Sequence, residues 1–312
     1  MEHAKRPILI TGSSGLIGRS LTEALREAGE TVIEMDVRTQ PGWDISRPDA
    51  LENLWPALLT SAHGPVRGVI NLAAVSRVVA AQEDPALCWR TNVSAIDTLA
   101  RALERQAERP WLIFASSREV YGQPAVLPAC DSDAVAPLNV YAASKAAGEL
   151  LVGQYGRRTG ALTAILRFSS VYGMTDDHAN RVVPAFARSA ALGRTIDVHG
   201  AETTLDLTHI SDVIRAACLL VKRMDEGTPP VQPLLLSTGV GTRLIDLATL
   251  AAEFSGGATS VRITAARHYD VTRFFAHAPY AHAFLKWTPQ CGVVEGFKGL
   301  VDAFRANAAF CS

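Results

Sequence analysis

The sequence predicts an α/β protein built on a doubly wound parallel sheet, and two observations support this prediction. Short apolar, β-branched runs alternate with longer amphipathic stretches through the first two-thirds of the chain. The first of these runs leads at once into a glycine-rich turn. Strand–helix alternation of this kind predicts parallel strands joined by right-handed crossovers, with helices on both faces of the sheet.

The individual elements follow from hydrophobic patterning. Short apolar runs bounded by turn residues or charges are typical of strands buried on both faces, and these lie at residues 7–11, 31–36, 68–72, 111–116 and 161–167. The amphipathic stretches between them predict helices at residues 17–28, 49–59, 85–105 and 140–158. Further helical patterns lie at residues 176–194, 245–254, 279–289 and 296–306.

The pattern becomes less regular after about residue 172, which predicts a second, smaller domain. We assign residues 1–172 to a nucleotide-binding domain of the Rossmann type, to which residues 207–238 return. Residues 173–206 and 239–312 then form a smaller, mostly C-terminal lid. Ligands of such sheets bind at the carboxyl ends of the strands.

Composition excludes several classes of protein. Lys and Arg number 30 and Asp and Glu number 31, so the net charge of −1 gives no support to a protein that binds nucleic acid or an anionic membrane, which would usually carry a basic patch. No apolar run approaches the roughly 18–20 residues that span a bilayer. The N-terminus leads directly into the first strand, and the five cysteines are scattered without a Cys-x-x-Cys pair. We therefore expect a cytoplasmic protein with free thiols and no metal site.

The glycine turn and an acidic residue indicate a dinucleotide site. The turn between the first strand and the first helix reads Gly12-Ser13-Ser14-Gly15-Leu16-Ile17-Gly18. Glycines let the backbone approach a pyrophosphate, and the helix N-terminus supplies N–H groups and a partial positive charge. Asp36 ends the second strand, where it can accept hydrogen bonds from the adenosine ribose and repel the 2′-phosphate of NADP. Arg38 lies close enough to relieve part of that repulsion. The alternative is a purely structural turn.

Three further residues indicate proton transfer. Ser117 ends the fourth strand, and Tyr141 and Lys145 share one face of a predicted helix because they are four residues apart. A phenol has a pKa near 10, and a neighbouring ammonium group favours its ionised form. The trio suits removal of a proton from a hydroxyl group while hydride moves to a nicotinamide. The alternative is an exposed helix pair that arises by chance.

With these residues, nearly the whole chain resembles the extended short-chain dehydrogenase/reductases, in particular the NAD-dependent nucleotide-sugar epimerase/dehydratase group. Beside the turn and the trio, the matching segments are Asp44-Ile45, Asn71-Leu72-Ala73-Ala74-Val75-Ser76, Asn92, Leu166-Arg167-Phe168-Ser169-Ser170-Val171-Tyr172-Gly173, Asp206-Leu207-Thr208-His209-Ile210-Ser211-Asp212-Val213, Arg267-His268-Tyr269-Asp270-Val271 and Trp287-Thr288-Pro289.

The resemblance implies a bound, catalytically used NAD and a nucleoside-diphosphate sugar substrate that passes through a transient 4-keto form. It implies Tyr141 as the base, Lys145 on the ribose and phenolate, and Ser117 on the 4-oxygen. The implied cofactor-binding residues are Gly12, Gly15, Leu16, Ile17, Gly18, Asp36, Asp44, Ile45, Leu72, Ala73, Ala74, Asn92, Tyr141, Lys145 and Phe168. The implied substrate-binding residues are Ser76, Ser117, Arg118, Ser170, Arg181, Val182 and Arg267. The resemblance also implies a homodimer formed by the helices at residues 85–105 and 140–158.

Three departures from the family pattern fall in the substrate-binding part. Ser170 replaces a usual Asn, Leu205 replaces a usual Arg at the diphosphate, and His277 replaces a usual Asp. Loss of a guanidinium removes a bidentate phosphate donor. Arg267 remains as the main expected phosphate anchor, with Arg181 as a second. The departures indicate either drift with a retained nucleotide sugar or an unusual substrate.

Glu119, two residues after Ser117, leaves the reaction open. Glu is frequent there in dehydratases and uronate decarboxylases, where it can act as an acid–base group. Arg118 replaces the Asp of the most familiar dehydratases; it cannot serve as a proton donor but can hold the carboxylate of a uronate. The alternative is a structural ion pair between the two. We therefore expect a 4-epimerase first, then a dehydratase or decarboxylase using Glu119, then a 4-ketoreductase, and last a non-catalytic NAD-binding protein.

Overall fold

The structure is a computed structural model that describes residues 6–61, 64–265 and 271–307. Its strands in chain order are β1 (Ile8–Thr11), β2 (Val32–Met35), β3 (Thr60–Ser61), β4 (Gly64–Pro65), β5 (Gly68–Asn71), β6 (Trp111–Ser117), β7 (Ala129–Cys130), β8 (Thr163–Phe168), β9 (Ser170–Tyr172), β10 (Ile196–His199), β11 (Thr204–His209), β12 (Leu234–Leu236), β13 (Gly241–Arg243), β14 (Val261–Thr264) and β15 (Ala276–His277).

The helices connect these strands. In chain order they are α1 (Leu16–Glu27), α2 (Pro48–Leu59), α3 (Val78–Glu83), α4 (Pro85–Trp89), α5 (Ala95–Glu104), α6 (Val140–Thr159), α7 (Val182–Leu192), α8 (Ile210–Asp225), α9 (Leu244–Phe254), α10 (Pro279–Leu285) and α11 (Val293–Ala306). A π-helical turn spans Arg90–Ser94, and a 3₁₀ helix spans Arg118–Tyr121.

A six-stranded sheet with the order β12-β8-β6-β5-β1-β2 forms the centre of the fold. β1 pairs in parallel with β2 on one side and β5 on the other, and β5 pairs in parallel with β6. The strand order therefore reverses at β1, which is the point where doubly wound sheets bind their ligands. The predicted doubly wound α/β fold is confirmed.

Burial explains why the short apolar runs form this sheet. All four residues of β1 and of β5 are buried, and so are all seven of β6. Parallel strands covered by helices on both faces read as continuous rather than alternating apolar runs. The main core cluster contains side chains from the strands and from the helices that cover them, including Leu9, Val69, Phe114, Leu99, Leu103, Val152 and Tyr155.

The observed elements differ from the predicted ones at several places. The predicted helix at 85–105 is α4 and α5 joined by the π-helical turn. The helix predicted at 176–194 begins only at Val182. The one predicted at 279–289 ends at Leu285, because Lys286 adopts a left-handed backbone with φ of 50°. Helix α8 was not predicted, although Val213, Ala217, Leu220 and Met224 form a buried stripe at helical spacing.

The chain divides into two compact units. The first comprises Met1–Gly122, Val135–Arg167 and Ala216–Leu234, and the second comprises Gln123–Ala134, Phe168–Arg215 and Leu235–Ser312. The second unit contains the strand groups β13-β11-β9, β10-β14 and β15-β7 and has its own core, formed largely by α7, α9 and α11. The assignment of substrate binding to a separate domain stays a prediction.

Candidate active site

The glycine turn brings the backbone of two segments into close contact. Gly12 has a φ of 72°, and a Cβ atom there would lie 2.6 Å from the amide nitrogen of Ala73. A Cβ atom on Gly18 would lie 2.1 Å from the carbonyl oxygen of Gly12. Both positions therefore require glycine. Gly15 is the N-cap residue of α1, and because it has no side chain, no capping side chain covers the backbone N–H groups of the first turn. These N–H groups can therefore bind a ligand.

Asp36 lies directly beyond β2 and is held toward this turn. Its Oδ2 accepts a hydrogen bond of 3.0 Å from the backbone N–H of Ser14, and its Oδ1 accepts one of 2.8 Å from the N–H of Arg38. The Arg38 guanidinium donates to the Ser14 carbonyl oxygen at 3.0 Å. The carboxylate is therefore oriented by the chain itself before any ligand binds.

The described residues fit NAD. A turn that a Cβ atom would fill suits a pyrophosphate, helix N-terminal amides suit its charge, and a fixed carboxylate suits ribose hydroxyls. Leu72, Ala73 and Ala74 follow β5 at the same strand ends. Ile45, in contrast, is buried in the main core cluster, and the Asp44 carboxylate accepts from the Ser46 N–H at 2.9 Å.

The Asn92 side chain forms hydrogen bonds to both the loop after β5 and helix α6. Its Oδ1 accepts from the Val75 N–H at 2.8 Å, and its amide nitrogen donates to the Val75 carbonyl at 3.1 Å and to the Ser144 hydroxyl at 2.9 Å. The buried Cys88 thiol lies 3.4 Å from the same hydroxyl. Asn92 thus links the loop after β5, where Ser76 lies, to helix α6. Sequence reasoning did not identify Ser144 or Cys88 as part of this network.

Tyr141 and Lys145 lie together in the first unit, beside the strand that ends at Ser117. Lys145 is 3% exposed, and its ammonium group donates to the Ala115 carbonyl at 2.8 Å. That carbonyl lies on β6, two residues before Ser117. The ammonium nitrogen is 5.9 Å from the centre of the Tyr141 ring and 5.0 Å from that of Phe114. Tyr141 and Lys145 therefore lie where α6 packs against β6, and the role predicted for Ser117 stays a prediction.

Burial tunes the charge of Lys145. Desolvation lowers its pKa from 10.5 to about 8, while the charges of Cys88 and of Glu149, one helical turn further on, oppose this shift. An ammonium group held in a buried position next to a phenol favours phenolate formation. The arrangement places an ammonium group of lowered pKa beside a phenol, which suits reversible proton transfer.

An ion pair lies behind Lys145 that sequence reasoning missed. The Glu149 carboxylate accepts two hydrogen bonds from the Arg167 guanidinium, at 2.9 and 2.6 Å, and one from the Ser116 hydroxyl at 2.5 Å. Arg167 also donates to the Tyr121 hydroxyl at 2.8 Å. The one feature of the sequence that points to this ion pair is the position of Glu149, four residues after Lys145 and so on the same face of α6.

Arg118 and Glu119 form the ion pair that the sequence left as an alternative. The Arg118 Nη2 lies 2.7 Å from the Glu119 Oε1, and both side chains are about one-tenth exposed. The Glu119 Oε2 accepts from the Asn139 amide at 3.2 Å, and the Glu119 N–H donates to the Ser117 Oγ at 3.2 Å. Both carboxylate oxygens are therefore engaged. Sequence reasoning missed Asn139, although an Asn directly before a helix is a typical cap.

The remaining predicted residues lie in the second unit. Phe168 is buried, Ser170 begins β9, and Val182 begins α7. Arg181 precedes α7 and pairs with the buried Asp177 at 3.3 Å. Leu205, at the position of the usual Arg, packs against the core of this unit. Arg267 lies outside the described residues. The roles predicted for these residues remain predictions.

Two negative findings apply to the described part of the chain. It contains no cluster of His, Cys, Asp and Glu side chains arranged to hold a metal ion. None of its helices has both the length and the apolar character needed to cross a membrane.

The reversed strand order, the glycine turn and the fixed Asp36 carboxylate are typical of a dinucleotide-binding α/β protein, and the buried tyrosine–lysine pair is of a kind suited to acid–base chemistry. The sequence profile of the NAD dependent epimerase/dehydratase family matches residues 8–232, and the chain belongs to that family. The predictions of family and NAD as cofactor are thereby confirmed.

Similar proteins agree with this assignment. The UDP-glucose 4-epimerase of Mycolicibacterium smegmatis is 27% identical over 95% of this chain and 98% of its own. UDP-glucuronate 4-epimerase 1 of Arabidopsis thaliana is 28% identical, over 68% of this chain and 54% of its own. Among solved structures, MoeE5 in complex with UDP-glucose and NAD has a TM-score of 0.83 and 27% identity, covering 96% of this chain and 99% of its own. MoeE5 has also been solved with UDP-glucuronic acid and NAD.

Proposed function

We propose that this protein is a 4-epimerase of a UDP-linked hexose. The observation that carries the proposal is the meeting of Tyr141 and Lys145 on α6 with the end of β6, where Ser117 lies. A 27% identical relative is a UDP-glucose 4-epimerase, and MoeE5 has been solved with UDP-glucose, so both connect this fold with UDP-sugars. Epimerisation at C4 needs one reversible proton acceptor beside the cofactor, and these residues supply it.

The roles follow from the chemistry of each side chain. When bound, NAD supplies the hydride acceptor and donor. Tyr141, as phenolate, takes the proton of the sugar C4 hydroxyl and later returns it. Lys145 holds a positive charge near the phenolate, and Ser117 donates a hydrogen bond to the 4-oxygen. The covalent C–H bond at C4 breaks as the 4-carbonyl group forms, and it is formed again on the opposite face of the sugar ring. The product therefore has the same mass as the substrate.

The state of Glu119 favours epimerisation over dehydration or decarboxylation. Both of its carboxylate oxygens are occupied, one by Arg118 and one by Asn139. A carboxylate held in this way by a guanidinium and an amide is engaged by groups of the protein and is not left to face a substrate proton. Net 4-ketoreduction would need exchangeable NADPH, which the fixed Asp36 carboxylate opposes.

Charge also favours a neutral hexose over a uronate. Glu119 already neutralises the Arg118 guanidinium, so a substrate carboxylate beside the pair would add an uncompensated buried charge. We therefore propose the UDP-glucose and UDP-galactose pair as substrates. The second candidate, UDP-glucuronic acid, is favoured by the presence of Arg118 itself.

Incubation of the purified protein with UDP-glucose, UDP-galactose and UDP-glucuronic acid separately, with products read by mass and NMR, tests the proposal. Interconversion of the two neutral sugars without change of mass is the expected result. Loss of water or of carbon dioxide would replace the proposal with a dehydratase or a decarboxylase. Preferential epimerisation of the uronate would overturn the choice of a neutral hexose.

Two further proposals concern the setting of the enzyme. Among the described residues, Cys88, Cys130, Cys218 and Cys291 are free thiols, which supports a reducing, cytoplasmic location. We also propose a homodimer formed through the helical region around α4, α5 and α6.

A further inference from the structure

Glu119 lies where it contacts two parts of the proposed active site at once. It belongs to the short 3₁₀ helix that follows β6, and its backbone N–H donates to the Ser117 Oγ at 3.2 Å. Its side chain is buried and accepts from the Asn139 amide nitrogen at 3.2 Å. One residue therefore contacts both the serine at the strand end and the residue that precedes helix α6.

Asn139 is the N-cap of the helix that carries Tyr141 and Lys145. Its backbone is extended, with φ of −139° and ψ of 168°, and its Oδ1 accepts from the Ala142 N–H at 2.8 Å. The side chain is buried. Its oxygen thus satisfies a first-turn amide of the helix, while its nitrogen faces Glu119.

A flip of the Asn139 side-chain amide, which would exchange its oxygen and its nitrogen, would break both of its hydrogen bonds. An ionised carboxylate only accepts hydrogen bonds, and an asparagine side chain has a donor end and an acceptor end. Because the Glu119 carboxylate can only accept, the NH₂ group of Asn139 must face it. The Asn139 oxygen is thereby directed toward the first turn of α6. A flipped amide would place its NH₂ against both the Ala142 N–H and the helix dipole, and the cap would be lost.

We propose that Glu119 is a positioning residue: through Asn139 it fixes the start of α6, and through Ser117 it ties the strand end to that start. Tyr141 is the second residue of α6, so its hydroxyl is placed relative to Ser117 by this link. The proposal rests on the proposed function, because it assigns Glu119 no proton transfer and needs Tyr141 and Ser117 as the reacting pair.

A donor–acceptor exchange tests the link. In Glu119→Gln, the glutamine oxygen stays on Arg118, so its NH₂ faces the Asn139 NH₂ and the cap is disturbed. In Asn139→Asp, the cap is kept but two carboxylates face each other. In the double variant Glu119→Gln/Asn139→Asp, the glutamine NH₂ donates to the aspartate, which restores the link with its polarity reversed and keeps a negative charge near Arg118.

Turnover and substrate affinity are measured for all four proteins with the sugar pair that the wild type interconverts. Misplacement of reacting groups costs turnover rather than affinity, so each single variant should lose about 10- to 100-fold in kcat. The change in KM should stay within about threefold. The double variant should recover kcat to within about threefold of the wild type.

An acid–base role for Glu119 gives the opposite result, because glutamine cannot take up a proton in either variant. A double variant that is no more active than Glu119→Gln would therefore overturn the proposal. So would a Glu119→Gln variant with wild-type kcat.

Hydrogen–deuterium exchange of the first turn of α6 in the NAD-bound protein separates this proposal from the proposed function. Exchange at Ala142 should speed up in the Glu119→Gln variant and return to the wild-type rate in the double variant. Unchanged exchange in Glu119→Gln would overturn the positioning link. If the wild type converts none of the UDP-sugars, the proposed function fails, and the exchange experiment still tests the link between Glu119 and the cap.

Discussion

At the scale of single residues, the hydroxyl of Tyr141 has the most direct proposed role. The Lys145 ammonium nitrogen lies 5.9 Å from the centre of the Tyr141 ring, and this ammonium group donates to a carbonyl of β6, the strand that ends at Ser117. The Tyr141 ring is buried together with Cys88 and Ala81 in a small cluster, which fixes its place independently of the hydroxyl.

The Tyr141→Phe variant should keep the ring and lose the proton acceptor. We expect turnover to fall by about 10²–10⁴-fold, the usual contribution of a general base. NAD content and the thermal midpoint should stay close to those of the wild type, since the hydrophobic contacts of the ring remain. Steady-state kinetics with the preferred UDP-sugar, together with NAD quantified after acid extraction, provide the measurement. Wild-type turnover in this variant would remove Tyr141 from the reaction.

Lys145 shows a conflict between function and stability. Burial lowers its pKa from 10.5 to about 8, so the folded state holds the proton less tightly than the unfolded state does. Between about pH 8 and 10.5 the unfolded protein binds more protons, and stability rises with pH. Below pH 8 the charged, buried group therefore costs stability, by roughly 3 kcal/mol for this fall in pKa.

The Lys145→Met variant should be inactive and, at pH 7, more stable than the wild type in the absence of NAD. The gain should be about 2 kcal/mol, because the lost hydrogen bond to Ala115 offsets about 1 kcal/mol of it. The advantage should shrink as pH rises from 8 to 10. Denaturant unfolding at pH 7, 8, 9 and 10 measures the difference, and a difference that does not change with pH would contradict the assigned pKa.

At the scale of elements, the turn between β1 and α1 depends on backbone contacts that tolerate no side chain. Gly18 in the first turn of α1 faces the Gly12 carbonyl, and Gly12 in turn faces the backbone of residue 73. The shape of the proposed pyrophosphate site is therefore set by two close approaches of main chain to main chain.

The Gly18→Ala variant should lose NAD and stability together, because its Cβ would lie 2.1 Å from the Gly12 oxygen and α1 would have to move. We expect a loss of about 1–3 kcal/mol in the free energy of unfolding, as for an overpacked core. Gly42→Ala is the matched control, since a Cβ there meets nothing within 4 Å. Thermal melts and NAD titration of both variants provide the test; equal behaviour would show that the turn adapts.

At the scale of the whole molecule, exposed apolar side chains support the proposed homodimer. Leu150 on α6 is 72% exposed and Trp89 on α4 is 42% exposed, and these helices pack within the first unit. Large apolar side chains exposed on an α-helical surface are typical of protein–protein interfaces.

The wild type should be a dimer at micromolar concentration, and Leu150→Arg should make it monomeric, because a charge would be buried at the interface. Val231→Arg is the control: Val231 is 91% exposed but lies outside these helices, and this variant should stay dimeric. Light scattering of the three proteins decides the question. A monomeric wild type would exclude the homodimer. A Leu150→Arg variant that stays dimeric would place the interface elsewhere.

The features that depend on neighbouring residues could be predicted from the sequence. The buried strands are continuous apolar runs, the glycine turn follows the first of them, and Tyr141 and Lys145 share a helix face through their spacing alone. These local rules were enough to predict the doubly wound sheet and a dinucleotide site with a preference for NAD, and the resemblance of further motifs to a known family indicated the family. The π-helical turn at Asn92 broke the helical spacing and was therefore missed.

The contacts that hold the proposed site residues depend on the tertiary packing. Glu119 meets Asn139 across 20 residues of sequence, Arg167 meets Glu149 across 18, and Asn92 meets Ser144 across 52. Whether Glu119 acts as an acid–base group or as a positioning residue depends on which hydrogen-bond donors face its carboxylate. That outcome follows from how β6 and α6 pack and from the direction in which each side chain points, and no local pattern encodes either.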